Sequence, residues 1–282
     1  MIKRIAIAFI ISYLGNIAII YGQNICGTTA TISQVNLENT FTITQDSANH
    51  SIPQLNRTLT ISIFVIKDSN GQPDVTTNEI NTAVTSLNQY FSPITLSFKI
   101  DNITYINNYQ LDTIFMGQNE LQLEKSYFEK NVINLYLVAG LFDQSQNDVC
   151  GYTYMPPSQN GSIFIKKSCF LGSTTLAHQI GHFFNLYHTH DTIFGSELVA
   201  RPGNCATAGD RCCDTDADPN LEGLVNTNCI YTGTAKDANK SFYMPSTKNL
   251  MSFSNDNCRC FLSHTQYMRI IYALNHFRSY LR

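Results

Sequence analysis

Three histidines set the strictest geometric requirement in this sequence: His178, His182 and His188 lie within one largely apolar run. His178 and His182 are four residues apart, so on an α-helix their imidazoles project from the same face, one turn apart. His188 follows six residues later, and its imidazole can reach the other two only if the helix ends first. Asn185 is suited to that bend, because Asn tolerates the left-handed backbone found at helix ends. Three imidazoles with a fourth position open are the ligand set of a catalytic zinc ion.

The spacing resembles the zinc motif of the metzincin metallopeptidases, H-E-x-x-H-x-x-G-x-x-H, and reads H-Q-x-x-H-x-x-N-x-x-H here. Two later segments narrow the resemblance to the pappalysin-like branch, whose members carry a G-D-x-x-x-D-T-P segment and a Met-turn of the form N-x-M-x-Y. The first corresponds to residues 209–216, where Asp216 replaces the usual Pro, and the second to residues 249–253. The resemblance runs from about residue 58 to the C-terminus. It implies a zinc ion held by the three histidines, with Met251 as an apolar floor beneath it.

Apolar periodicity predicts a mixed lobe of strands and helices before and around the zinc motif. Strands are expected over residues 58–66, 94–100, 132–138 and 162–166. Helices are expected after the capping box at 76–79, over the zinc motif from 176, and after the capping box at 263–266. With the resemblance, the prediction is an α+β, metzincin-like fold. A twisted mixed sheet with a backing helix and the zinc helix would be followed by an irregular C-terminal lobe, with the Met-turn and a terminal helix.

The strand that precedes the zinc helix is short and ends in two lysines, Lys166 and Lys167, which suits the edge of a sheet. In metzincins the strand at this place is the edge against which an extended peptide substrate pairs. By that resemblance the candidate substrate-binding residues are Ser162, Ile163, Phe164, Ile165 and Lys166. A peptide or a protein is therefore the expected substrate or ligand.

Two positions that the family uses for catalysis carry other residues here. Gln179 stands where the family has a general-base Glu, and an amide cannot take the proton from zinc-bound water. Phe253 stands where the tyrosine of the Met-turn supports the oxyanion, so that hydroxyl is absent. Loss of a general base costs roughly 10² to 10⁴ in rate, and loss of one oxyanion donor about 10² to 10³. The sequence predicts a zinc-binding pseudoprotease; the alternative is an active zinc endopeptidase that recruits another base, with His190 and Asp191 tested first.

The amino terminus predicts a secreted protein. Residues 1–22 combine a basic start with an apolar core, which is typical of a signal peptide and too short and interrupted for a stable membrane span. Residues 23–57 are rich in Ser, Thr, Asn and Gln and form either a lead-in or a pro-segment that is removed. The remaining residues divide into an N-terminal lobe, 58–188, and a C-terminal lobe, 189–282, of one metallopeptidase domain, 58–282. The net charge of -3, without a basic cluster, argues against nucleic acid as a partner.

Nine cysteines fit an oxidising compartment, and their odd number leaves at least one outside intramolecular pairs. Cys150 and Cys169 bracket one strand and are the predicted disulfide. The four aspartates between 210 and 218 form an acidic loop. This loop is either solvated or, as in some pappalysin-like enzymes, part of a site for a calcium ion.

Overall fold

The computed structural model describes residues 26–38, 51–158, 161–200 and 203–281 of the chain. Its α-helices are α1 (Ile32–Glu38), α2 (Thr77–Phe91), α3 (Glu120–Tyr127), α4 (Thr175–Phe183) and α5 (His264–His276). Its strands are β1 (Arg57–Ile66), β2 (Leu96–Ile106), β3 (Thr113–Phe115), β4 (Ile133–Val138), β5 (Gly140–Phe142), β6 (Gly151–Thr153) and β7 (Ser162–Lys166). Short 3-10 turns lie at Ser92–Ile94, Tyr109–Leu111 and Lys167–Cys169.

A five-stranded sheet in the order β2-β1-β4-β7-β6 forms the centre of the N-terminal lobe. Strands β1, β2, β4 and β7 are parallel to their neighbours, and β6 is antiparallel to β7. The sheet is therefore mixed, as predicted. Strand β4 is buried at every position, as expected of a parallel strand whose two faces are both covered. A second, two-stranded sheet pairs β3 with β5.

The prediction that residues 162–166 form the edge of the sheet is wrong. That segment is β7, which lies between β4 and β6, and its first four residues are buried. The run Ile163-Phe164-Ile165 is apolar on both faces, which suits an internal strand. Lys166 at its end is the exception, and its ammonium pairs with Asp148 at 2.7 Å. The edge on this side of the sheet is β6. This strand has three residues, which is too short a run to predict as a strand from the sequence.

Two apolar layers cover the sheet. On one face α2, α4 and α5 pack against alternate residues of β1 and β4. Helix α2 begins at the predicted capping box of Thr76 and Glu79. Its buried side chains are Ile80, Val84, Leu87 and Phe91. On the other face four aromatic rings stack in a row with neighbouring centroids 4.9, 5.0 and 5.1 Å apart: Phe64, Tyr136, Phe164 and Tyr152. The sheet is thus a rigid support for α4, which carries the zinc motif.

The C-terminal lobe is irregular, as predicted. Its described residues from 189 to 262 form turns and isolated bridges rather than strands or helices. The disulfides Cys205–Cys213 and Cys229–Cys258 tie this segment together. Helix α5 follows at the predicted capping box of Ser263 and Gln266, and its apolar face packs into the main core.

The amino-terminal segments are described in part. The predicted signal peptide, residues 1–22, lies outside the described residues. Of the predicted lead-in, 23–57, the structure describes residues 26–38 and 51–57. Throughout the described part of the chain, no helix combines the length and the apolar character needed to cross a membrane.

Candidate metal centre

The zinc helix α4 ends where the third histidine requires it to end. All nine residues of α4 are buried. The helix is therefore part of the hydrophobic core and also carries His178 and His182. Its last residue is Phe183, and Asn185 follows with a φ of 67°. The amide of Leu186 donates to the carbonyl of Gly181 at 3.0 Å and closes the turn. This left-handed bend at Asn185 turns the chain so that His188 faces the helix.

The structure brings the three predicted ligands together. The Nε2 atom of His182 lies 3.0 Å from those of His178 and His188, and these two are 3.2 Å apart. Nitrogen ligands bound tetrahedrally to zinc at 2.0–2.1 Å would be about 3.3 Å apart. The Nδ1 atoms of His178 and His182 donate to the carbonyls of Leu250 and Leu186, at 2.8 and 2.7 Å. These bonds fix the tautomers so that both Nε2 lone pairs point at the shared centre.

The electrostatics of the triad also fit a cation. Burial lowers the pKa of His178 and His188 well below its usual range and that of His182 to about 3. The three imidazoles are therefore neutral at pH 7, and neutral imidazole is the form that binds zinc. Three nitrogen lone pairs that converge without a proton between them repel one another. A metal ion at their centre removes that repulsion, so the residues present fit zinc.

Cys26, which no sequence motif singles out, lies beside the three histidines and could serve as a fourth ligand. The Sγ atom of Cys26 and one nitrogen of each histidine all lie within 4.8 Å of one another. Burial raises the pKa of this thiol, so its ionised form needs a cation beside it. Four protein ligands make a closed set, which is typical of structural zinc, whereas catalytic zinc keeps one position open. Cys26 is one of nine cysteines in the sequence, and no local spacing links it to histidines that lie 152 to 162 positions away.

Gln179, which the resemblance aligns with the general base of the metzincins, contacts this cysteine. Its Nε2 donates to the Sγ of Cys26 at 3.0 Å, and its Oε1 accepts from the hydroxyl of Thr28 at 3.0 Å. Only 1% of Gln179 is exposed. A Cβ on Gly151 would lie 3.1 Å from its Cγ, so Gln179 packs closely against the backbone of the edge strand. The amide is thus enclosed by the amino-terminal segment and β6.

The Met-turn lies beneath the metal centre. Met251 is fully buried, and its Sδ is 2.5 Å from where a Cβ on Gly181 would stand. Its amide donates to the side chain of Asn249 at 2.8 Å. The ring of Phe253 contacts the ring of His188, with centroids 4.6 Å apart. Met251 and Phe253 thus both lie beside the zinc motif, Met251 against Gly181 of α4 and Phe253 against the third histidine.

The two alternative bases lie just beyond the third ligand. The ring of His190 stacks on that of His188 with centroids 5.1 Å apart, and burial lowers the pKa of His190 to about 4. Burial raises the pKa of the Asp191 carboxyl, whose Oδ1 accepts from the amide of Ile193 at 3.0 Å. Among the described residues, the Nδ1 of His190 has no hydrogen-bond partner.

Three aspartates of the acidic loop each accept a separate hydrogen bond. Asp210 accepts from Thr215, Asp214 accepts from Ser263 at the start of α5, and Asp218 accepts from Thr189. Within the described ranges, only Cys26 with the three histidines forms a cluster of His, Cys, Asp or Glu side chains suited to share a metal ion. The structure therefore gives no support to the calcium site that was the alternative for this loop.

The predicted disulfide is present: Cys150 and Cys169 are bonded, with Cα atoms 5.5 Å apart. Cys150 immediately precedes β6 and Cys169 ends the turn after β7. Cys26, Cys212 and Cys260 form no disulfide. Three disulfides fit the oxidising compartment that the cysteine count predicts.

Comparisons with known proteins agree with this geometry. The model of the reprolysin-like metallopeptidases of family M12B matches residues 77–189, from α2 through the three histidines. Extracellular metalloproteases of Arthroderma gypseum and Neurospora crassa are both 25% identical to the chain, over 248 and 223 residues. These matches cover 80% and 73% of this chain and 76% and 70% of the relatives. Mature mirolysin of Tannerella forsythia, solved in complex with a cleaved peptide, is similar in structure with a TM-score of 0.61.

The likeness to mirolysin covers 81% of this chain and 96% of the mirolysin chain at 14% sequence identity, and it shows the fold alone. The relatives named extracellular are consistent with secretion of this chain. The family match and the relatives, joined to the buried three-histidine cluster, support zinc as the metal and peptides as the substrate class of the scaffold. The chain therefore has a metzincin-like fold and a buried three-histidine cluster that fits zinc, and it is similar to extracellular metalloproteases.

Proposed function

We propose that this chain is a secreted, pappalysin-like zinc protein in which peptide hydrolysis is lost, that is, a pseudoprotease. The observation that carries the proposal is the contact of Gln179 with the thiol of Cys26 at 3.0 Å. The residue at the general-base position has become a hydrogen-bond donor to a fourth metal ligand. A signal peptide at residues 1–22 and the pappalysin-like loop and Met-turn belong to the same proposal.

Zinc, when bound, would supply a Lewis acid that polarises a carbonyl and lowers the pKa of a bound water. The chain's own residues then decide whether hydrolysis follows. Gln179 can orient a hydroxyl or a thiol, but its amide cannot accept the proton that a general base must take. Phe253 presents a ring to His188 and no donor to a developing oxyanion. With zinc bound, the Sγ of Cys26 would occupy the fourth position that water or a substrate carbonyl takes in a catalytic site.

A second candidate function is that of an active zinc endopeptidase that uses another base. The observation in its favour is His190, whose ring stacks on His188 and whose Nδ1 has no partner among the described residues. Its low pKa keeps the imidazole neutral near pH 7, as a base requires. The proposal of a pseudoprotease is favoured because Cys26 is the side chain that shares the ligand cluster, while His190 lies behind a ligand ring.

The test compares cleavage of a mixture of unstructured peptides by zinc-loaded native protein and by Cys26→Ala, with and without Gln179→Glu. We expect no chelator-sensitive cleavage by the native protein or by Cys26→Ala, because opening the fourth position does not supply a base. Adding Gln179→Glu to Cys26→Ala should raise turnover on the order of 10² or more. Adding Phe253→Tyr should raise it further.

Bound zinc is measured in every variant as a control. The metal content should stay at about one equivalent, because the three histidines are intact in all variants. This control separates restored chemistry from a changed fold. Chelator-sensitive cleavage by the native protein that Gln179→Glu leaves unchanged would show that the pseudoprotease proposal is wrong. His190→Ala would then identify or exclude the alternative base.

A further inference from the structure

We infer that Gln179 is a positioning residue which holds the segment Cys26–Thr28 over the metal centre as a lasting part of the folded protein. The inference rests on the proposed function, since it explains what the residue at the general-base position does instead of catalysis. Its basis is the pair of hydrogen bonds that Gln179 makes to this segment. A third contact, between the backbones of the segment and β6, supports it.

The amide of Gln179 matches both groups that it contacts. Its NH₂ end donates to the sulfur of Cys26, and its oxygen accepts from the hydroxyl of Thr28, each at 3.0 Å. A carboxylate offers acceptors only, so it could not donate to the sulfur, and with zinc bound its negative charge would lie beside that of the cysteine thiolate. Glutamate at this position would therefore oppose the arrangement that glutamine stabilises. Glutamine in place of glutamate at position 179 therefore replaces a general base with a residue that holds the amino-terminal segment.

The backbone of the segment covers the edge of the sheet. The amide of Gly27 donates to the carbonyl of Gly151 at 2.9 Å, and Cys26 forms a parallel bridge with Gly151. The amide of Thr153 donates to the hydroxyl of Thr28 at 3.0 Å. These groups of β6 are the ones that an extended peptide would use to add a strand. The segment thus covers the edge of β6 and brings Cys26 to where a fourth zinc ligand would lie.

The next residues anchor the segment further along the chain. Thr28 is 1% exposed and Gln34, on α1, is 5% exposed. The side-chain amide of Gln34 donates to the carbonyl of Pro156 at 2.6 Å. A Cβ on Gly27 would lie 3.2 Å from Val149, so the backbone fits closely against the loop before β6. The burial of Thr28 and Gln34 indicates a fitted part of the fold rather than a loose lead-in.

The experiment measures how fast iodoacetamide labels Cys26 in the zinc-loaded full-length protein, read by peptide mass spectrometry. Cys260, which is exposed and forms no disulfide, is the internal reference. In the native protein Cys26 should label far more slowly than Cys260. Gln179→Met removes both hydrogen bonds without adding a charge and should speed labelling of Cys26 by about tenfold or more. Gln179→Glu should speed it further.

Two threonine variants make a matched pair. Thr28→Val removes the hydroxyl that links Gln179 to β6 and should speed labelling of Cys26 by a few-fold. Thr58→Val removes an exposed hydroxyl that bonds the hydroxyl of Ser97, far from Cys26 in the sheet order, and should leave the labelling rate unchanged. Circular dichroism and zinc content identify any variant that has unfolded. Because Gln179→Met and Thr28→Val perturb different groups, loss of one variant leaves the other as a test.

A second readout is the amino terminus of the natively secreted protein, obtained from its intact mass. The inference expects Cys26 to remain in the mature chain. Labelling of Cys26 that is as slow in Gln179→Met and Thr28→Val as in the native protein would overturn the inference, and so would a mature chain that begins after Cys26. Neither result depends on peptide cleavage, so the inference and the pseudoprotease proposal can fail separately.

Discussion

Individual residues of the metal centre are chosen by backbone conformation and hydrogen bonding as much as by metal affinity. His178 and His182 each have their second ring nitrogen fixed by a backbone carbonyl. Asn185 supplies the left-handed turn that lets His188 converge with them. Gly181 leaves the space that Met251 fills. Few other side chains could provide a fixed imidazole, a left-handed backbone or an empty space at these positions.

Asn185 offers a test of the bend. Replacing it with Ala should lower the free energy of unfolding by about 1 kcal/mol, because a β-carbon without a polar group is strained in the left-handed region. Asn185→Gly should be neutral or slightly stabilising, since Gly adopts this conformation freely. Urea denaturation of the zinc-loaded proteins measures both. Equal losses in the two variants would show that the side chain of Asn185, and not its backbone conformation, matters.

The sequence predicts contacts between residues that are close along the chain, but not contacts between residues that are far apart. The three histidines, Asn185 and Met251 lie in short motifs whose spacing carries geometric meaning, and the structure places them as the motifs indicate. Cys26 lies 153 residues from its hydrogen-bond partner Gln179. No periodicity or local motif reports a contact of that range. The departure at Gln179 was visible in the sequence, but its new partners were not.

Among the elements, strand order decides what the site can bind. Strand β7 precedes the zinc helix in sequence but is internal, because the antiparallel strand β6 pairs with its outer side. An apolar run such as that of β7 fits either a buried edge or an internal strand, so its sequence could not decide between them. The three residues of β6 were too few to predict as a strand. The described segment that begins at Cys26 then covers β6 in its turn.

The disulfide between Cys150 and Cys169 should stabilise this corner of the sheet. It encloses 19 positions of sequence around β6 and β7, and the amide of Lys166 bonds the carbonyl of Cys150. Replacing both cysteines with Ser should lower the free energy of unfolding by roughly 3 kcal/mol on the chain-entropy model. Cys260→Ser, at an exposed cysteine, is the control and should change it by less than about 0.5 kcal/mol. A double variant as stable as that control would show that the bond contributes nothing.

At the scale of the whole molecule, the metal centre joins three parts of the chain that are far apart in sequence. The amino-terminal segment supplies Cys26, α4 and its bend supply the three histidines, and the Met-turn of the C-terminal lobe supplies the support. The fold class and the order of the lobes were predictable from periodicity and motifs, because those signals are local. The closure of the site by the amino-terminal segment was not, because it depends on packing across the molecule.

The central claim is that three histidines and one cysteine close the zinc site. X-ray absorption at the zinc edge of natively secreted protein tests it directly. We expect three nitrogen ligands at about 2.0–2.1 Å and one sulfur at about 2.3 Å, with the sulfur lost in Cys26→Ala. A native spectrum with only nitrogen and oxygen ligands would contradict the account and would restore an open, catalytic type of site.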